Sequence, residues 1–220
     1  MPRDLDTPPP ERLFLPGPAG RLDATFERPA GNARGLVLHL HPHPELGGTR
    51  NNNVVRHGAL GALEAGCAAL RIDFRGVGKS EGAYDQGVGE VDDAEAAFDW
   101  LERQGPGLPV FVWGFSFGSR VGLELAGRLA ERVAGYLAVA WPTRYYSWPE
   151  LSRWPDRAEF LVGDQDEFVD LGRMAPAARH GAPVRILEGA THFFPGQLHE
   201  VRAFTARALE RWLDAEGWAG

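Results

Sequence analysis

Apolar positions in this chain fall into two alternating rhythms. Short, nearly continuous apolar runs occur at Gly35 to His41, Cys67 to Phe74, Pro109 to Trp113, Val133 to Trp141, Ala158 to Val162 and Pro183 to Leu187. Runs of this length with no polar face predict strands buried on both sides. Between them the spacing becomes helical. Val54, Val55, Leu60 and Leu63 mark a helix over Asn53 to Glu64, and Val91, Ala94, Phe98 and Leu101 a second. Phe117 to Glu131 and Leu171 to Arg179 follow, and Val201, Phe204, Ala208, Leu209 and Trp212 share one face of a last helix. Ahead of this series, Arg12 to Leu15 and Arg21 to Glu27, separated by Pro16-Gly17-Pro18, read as a hairpin or two edge strands. Strand and helix alternating in this way imply an α/β fold, a mostly parallel twisted sheet with helices on both faces. No internal repeat or long linker divides the 220 residues, so residues 1–220 are expected to form one domain, with residues 1–20 a flexible arm plus an edge strand.

Charge and composition narrow the function classes. A net charge of −7 disfavours nucleic acid and anionic membranes as partners, and no basic cluster reverses it. The amino terminus lacks an apolar core of signal-peptide length and no run is long enough to span a bilayer, so a cytoplasmic protein is expected. Cys67 is the single cysteine, which excludes an internal disulfide; within an apolar run it reads as a buried, unreactive thiol. The 28 glycines and 17 prolines in an otherwise globular composition point to tight turns and close backbone approaches rather than disorder.

Two segments invite readings that the residues do not sustain. Gly76-Val77-Gly78-Lys79-Ser80 resembles the end of a phosphate-binding loop, but that pattern requires glycine where Asp73 stands, and no helix start follows. A tight turn, closed by an Asp73–Arg75 pair, explains the glycines. His39, His41 and His43 alternate as zinc ligands on a strand could, yet no carboxylate or thiolate completes a set. His39 and His41 are expected to be hydrogen-bonded core or loop-anchoring residues and His43 to act through its backbone; no metal and no cofactor is expected. Asp92, Asp93, Glu95 and Glu102 read as a solvated helix face.

The chemistry concentrates at Gly114-Phe115-Ser116-Phe117-Gly118, between an apolar strand and an amphipathic helix. A serine on such a turn takes a strained backbone conformation that exposes Oγ, while the flanking glycines let the neighbouring chain pack closely. A hydroxyl is a weak nucleophile and needs a histidine base oriented by a carboxylate. Of the histidines after Ser116, His180 ends a helix, His199 starts one, and His192 lies in the loop Gly189 to Phe194 after the last strand; His192 is the candidate base. Asp164 and Asp166 follow the strand ending at Val162, with Glu167 and Asp170 as rivals for the acid. The Phe117 amide, first in the helix, is a candidate oxyanion donor.

Three segments together, His41-Pro42-His43-Pro44 with Gly47-Gly48, Phe74-Arg75-Gly76-Val77-Gly78-Lys79-Ser80-Glu81-Gly82, and the serine turn itself, resemble the α/β-hydrolase superfamily. Within it they are similar to small bacterial serine hydrolases with little or no lid, described as esterases or thioesterases. The likeness runs from about Gly35 to the carboxyl terminus. It implies Asp166 as the acid, giving the chain order Ser116, Asp166, His192, and a second oxyanion donor after a His-Pro step: the His43 amide, or Glu45 if the step is His43-Pro44. Pro42 and Pro44 have no N–H to offer. Caps in this superfamily are inserted before the acid-bearing strand, where only Pro142 to Asp156 intervenes, so an open site is implied. Phe115, Trp141, Tyr145 and Phe193 are candidates for its aromatic wall, and Arg144 for an anionic substrate group. The expected activity is cleavage of a small ester or thioester through an acyl-enzyme; a lactone or peptide hydrolase and a non-catalytic binding protein are the alternatives.

Overall fold

The computed structural model describes residues 8–215. One eight-stranded sheet runs through it in the order β1-β2-β4-β3-β5-β6-β7-β8. β1 (Glu11–Gly17) and β2 (Gly20–Glu27) form an antiparallel hairpin, and β2 pairs antiparallel with β4 (Cys67–Ile72). From β4 onward every pairing is parallel, through β3 (Gly35–Leu40), β5 (Val110–Phe115), β6 (Val133–Val139), β7 (Ala158–Gly163) and β8 (Val184–Leu187). The hairpin and the parallel strands stand where the apolar runs predict them. Of the expected arm, residues 1–7 lie outside the described residues, and the edge strand is β1.

The twofold alternation of strand side chains divides the core between two faces. Leu36, Leu38 and Leu40 of β3 and Val110 and Val112 of β5 pack with α2 (Val88–Glu102) and α3 (Phe117–Leu129). Val37, Phe111, Trp113 and Phe115 point the other way, toward α1 (Asn53–Glu64) and α5 (Leu198–Ala215). A 3₁₀ turn, Leu171–Met174, and the five-residue α4 (Ala175–Arg179) replace the single helix expected there. No described helix is long and apolar enough to cross a membrane.

This topology fixes where a ligand can be met. The chain leaves β3 for β4 on one side, then crosses back to place β5 on the other. Loops after β3 and β5 therefore part at their carboxyl ends, the crevice in which open α/β sheets bind ligands. Residues 140–157, between β6 and β7, contain neither helix nor strand, so no cap is built over that edge. A concavity of about 360 Å³ near Leu108, Arg132 and Trp154 lies at the amino ends of β5 to β7, the opposite end of the sheet from Ser116.

Candidate functional site

β5 extends through Phe115, and Ser116 makes the turn into α3 with φ 53° and ψ −119°. A residue with a side chain avoids this region, and its occupancy here is held by hydrogen bonds on both sides. The Ser116 N–H donates to Val139 O at 2.9 Å, and the Ser116 carbonyl accepts from the Ser119 N–H at 2.9 Å and from Ser119 Oγ at 2.5 Å. The flanking glycines are sterically required. A Cβ on Gly114 would lie 2.3 Å from the Gly118 carbonyl oxygen, and one on Gly118 would lie 2.3 Å from Leu40 O and 2.6 Å from His41 O. The turn is thus pressed against the end of β3.

Two loops bring the partners. Asp166, in the loop after β7, and His192, in the loop after β8, are both buried. Ser116 Oγ donates toward His192 Nε2 at 2.9 Å, and His192 Nδ1 lies 2.8 and 3.0 Å from the Asp166 carboxylate oxygens. A carboxylate only accepts, so the proton sits on Nδ1 and Nε2 is left to accept from the serine. Asp166 Oδ1 also accepts the Phe168 N–H at 2.8 Å, which fixes the carboxylate plane.

The rival acids have other partners or face solvent. Asp164 accepts the Gly189 N–H at 2.7 Å, and the Gln165 N–H donates to Ala190 O at 3.0 Å, so the two loops are stitched together. Gly163 permits this approach, since a Cβ there would lie 2.1 Å from Ala190 O. Asp170 accepts from the Gly172 N–H and pairs with Arg173, while Glu167 is exposed. The structural part of Asp164 and the clearance at Gly163 were missed by the sequence reading; both depend on a contact some 25 residues away.

The loop after β3 is held by buried polar groups. His41 Nε2 accepts the Phe74 N–H at 3.1 Å and Nδ1 donates to Pro42 O at 2.6 Å, a neutral ring whose pKa burial pushes down to about 4. Further along, the buried Arg50 guanidinium pairs with Asp73, with Asp23 at 3.1 Å and with Thr25 Oγ1 at 3.0 Å. Asp73 is therefore the partner of Arg50, not of Arg75 as the sequence suggests. Arg75 instead forms a two-toothed pair with Asp93, at 2.8 and 3.0 Å, and its N–H donates to the same carboxylate. Asp93, expected on a solvated face, is fully buried, whereas Asp92, Glu95 and Glu102 are surface partners of Arg128 and Arg132.

The three histidines go separate ways, and among the described residues no cluster of three or more His, Cys, Asp or Glu is placed to hold a metal ion. His39 faces Trp113 with ring centres 5.3 Å apart, and its pKa is driven down to about 3 by burial and by the Arg71 charge. It is a buried core residue, one of the two roles expected, but lacks the expected hydrogen bond: its ring nitrogens lie near the backbone of Gly58, Val37 and Leu70 without a hydrogen bond of ordinary geometry. His43 packs against Phe117 at a tilt of 56°, ring centres 5.2 Å apart, with Nε2 3.0 Å from the Tyr84 hydroxyl. The amides of His43 and Phe117 donate to no described acceptor. Glu45 sits exposed in a short 3₁₀ turn, Pro44–Leu46.

The expected aromatic wall divides. Phe115 is fully buried beneath His192, ring centres 5.0 Å apart. Trp141 is also fully buried, stacked on Trp148 at 4.6 Å and edge-on to Phe160; it belongs to the core, and the expectation that it lines an open pocket is corrected by this packing. Phe193 and Tyr145 are exposed. Arg144 is exposed, and its Nε donates to Val169 O at 3.3 Å. Phe168, which the sequence does not single out, has its ring centred 4.3 Å from that of His192. Its position two residues after the acid was the available signal. Cys67 is buried and its thiol is pushed up to about 12, as an inert core residue would be.

Known proteins resemble this chain in sequence and in fold. The family model for the alpha/beta hydrolase fold matches residues 46–185. An uncharacterized protein of Rickettsia prowazekii is 34% identical over 195 residues, 83% of this chain and 82% of that protein. A lysophosphatidylserine lipase of Gallus gallus is 33% identical over 115 residues, which are 51% of this chain and 29% of that larger protein. Among solved structures, a lidless α/β serine hydrolase from Xanthomonas campestris superposes with a TM-score of 0.86 at 29% identity, covering 92% of this chain and 94% of its own. An α/β serine hydrolase homologue from Coxiella burnetii gives 0.82 at 36% identity, over 90% and 96%. With matches extending over most of its length, the chain belongs to the α/β-hydrolase family, beside that family's small, lidless bacterial serine hydrolases.

Proposed function

We propose that this hydrolase cleaves a small carboxylic ester or thioester through an acyl-enzyme on Ser116. The observation that carries this reading is the hydrogen-bonded series Ser116 Oγ, His192 Nε2, Nδ1 and Asp166, on a serine held at positive φ. In this mechanism His192 takes the Ser116 proton as Oγ attacks the acyl carbon. Asp166 stabilises the imidazolium, which then protonates the departing oxygen or sulfur. Water, deprotonated by His192, releases the acid.

The amides of Phe117 and His43, which have no described acceptor, are proposed to hold the oxyanion. One well-placed donor is worth about 3 kcal/mol in the transition state. The pressing of the serine turn onto Leu40 and His41 supports this pairing, because it sets the loop carrying His43 beside the nucleophile. The second choice, the Glu45 amide, lies two residues further along, in an exposed turn. No step calls for a metal or cofactor. Phe193 and Tyr145 are proposed to border the His192 side of the reacting centre, with the buried Phe115 as support for Phe193, and Arg144 is proposed for an anionic substrate group. We further propose a cytoplasmic protein, and its acidic charge supports the absence of nucleic-acid and anionic-membrane partners.

Labelling by a fluorophosphonate tests the nucleophile: modification at Ser116 supports the reading, and absence of labelling favours a non-catalytic binding protein on this fold. Rates across aryl esters of increasing acyl length, beside acyl-thioesters, test the bond. Hydrolysis of lactones or peptides with neither ester nor thioester turnover would overturn the substrate class.

A further inference from the structure

The rings around His192 single out one side of the reaction. Whatever the acyl group, the leaving heteroatom must come within hydrogen-bond reach of His192 Nε2 to receive its proton, so the leaving group lies against the surroundings of His192. Those surroundings are aromatic. The Phe168 ring is centred 4.3 Å from the imidazole at an interplanar angle of 40°, and the Phe193 ring stands edge-on to it at 5.1 Å and 86°. Tyr145 continues the surface, with its ring 5.4 Å from Phe168.

Two of these rings are exposed to an unusual degree for their size: Tyr145 by 66% and Phe193 by 54%. Phe193 leans on the fully buried Phe115 at 5.9 Å, which gives the exposed ring a rigid base. Open aromatic faces on fixed supports suit a flat π-system, which gains from stacked and edge-on contacts as well as from area. An extended alkyl chain would need an enclosed groove, and no cap stands over these residues. Resting on the reading of Ser116 as nucleophile, we infer that Phe168, Phe193 and Tyr145 form a leaving-group subsite selective for aryl alcohols, so that the substrates are phenolic esters. In the acylation step the Ser116 Oγ to acyl-carbon bond forms and the acyl-carbon to aryl-oxygen bond breaks. The proton lifted from Ser116 passes through His192 to the aryl oxygen, and the phenol departs; water later releases the carboxylic acid.

Acetyl esters separate the leaving group from everything else, because all of them form the same acyl-enzyme. The comparison is kcat/KM for 2-naphthyl acetate against hexafluoroisopropyl acetate, whose alcohol is similarly acidic but not aromatic. The parent is expected to favour the naphthyl ester. Phe193→Ala should lower the ratio of the two values about tenfold, and Tyr145→Ala should lower it by about threefold or more. Phe193→Leu, which keeps apolar bulk and a folded loop, should lower it nearly as far as alanine does. A ratio unchanged in the alanine variants, or a parent without aryl preference, overturns the subsite. A ratio preserved in Phe193→Leu overturns its aromatic selectivity. Fluorophosphonate labelling of the parent separates the two levels: with Ser116 unlabelled the nucleophile reading fails, whereas with Ser116 labelled and no aryl preference only the subsite fails.

Discussion

Gly118→Ala is the substitution for which the structure gives the sharpest expectation. The added Cβ would meet the carbonyl oxygens of Leu40 at 2.3 Å and His41 at 2.6 Å, both backbone atoms that no rotamer change can move aside. Relief requires the serine turn and the end of β3 to separate by about 1 Å in an interior packed as densely as a crystal. Overpacking of this kind costs about 1–3 kcal/mol of stability. The functional cost should be larger in proportion, because the displaced segments carry the two proposed oxyanion amides, and a misplacement of about 1 Å is worth roughly 10²-fold in rate. Gly122→Ala, one helical turn later, is the internal control. Its Cβ would meet Tyr136 Cε2 and Val112 Cγ1 at 3.1 Å, side-chain atoms that can give by a few tenths of an ångström, and alanine gains about 1 kcal/mol of helix propensity over glycine. Urea denaturation and kcat/KM on an aryl acetate, measured for both variants, distinguish the sites. Gly118→Ala should lose stability and about 10²-fold or more in kcat/KM, with Gly122→Ala close to the parent in both. Equal activity in the two variants would refute the argument that this contact sets the site.

Asp166→Asn should leave the fold intact but cost about 10⁴-fold in kcat, because an amide can stabilise the wrong histidine tautomer; steady-state kinetics check it. Arg50→Met removes the partner of two buried carboxylates, Asp23 and Asp73, and should destabilise by about 3–5 kcal/mol in urea denaturation. Burial holds the pKa of His39 at about 3 and of His41 at about 4, both below that of an unfolded chain, so below about pH 6.5 the unfolded state takes up protons that the folded state refuses. Stability should therefore fall as pH drops from about 6.5 toward 4, by about 1.4 kcal/mol per pH unit for each of the two rings. His39→Leu should flatten that slope in urea midpoints taken between pH 7 and 5; an unchanged slope would count against it.

The elements of the sheet were legible because strand and helix periodicities are local. So was the serine turn, whose glycines and flanking apolar strand sit within a dozen residues. His192 was accessible by elimination among three histidines, and Asp166 through family resemblance. What escaped depends on contacts between distant segments. Arg75 and Asp73 look like natural partners two residues apart, yet the fold places Asp93 and Arg50 nearer, because α2 and the loop before α1 pack over that turn. Trp141 follows a strand end in a segment rich in aromatics, and nothing local reveals that it folds back onto Trp148 and Phe160 instead of facing the crevice. Phe168 is read as loop until the imidazole is seen lying on it.

The central claim is that His192 and Asp166 make Ser116 an activated nucleophile. Fluorophosphonate labelling with the modified residue located by mass spectrometry tests it most directly, alongside ester hydrolysis by Ser116→Ala. The account predicts a single adduct on Ser116, lost in His192→Ala, and a fall in turnover on the order of 10⁶-fold in Ser116→Ala. An unlabelled Ser116, or a Ser116→Ala protein that still hydrolyses esters at most of the parent rate, would contradict it.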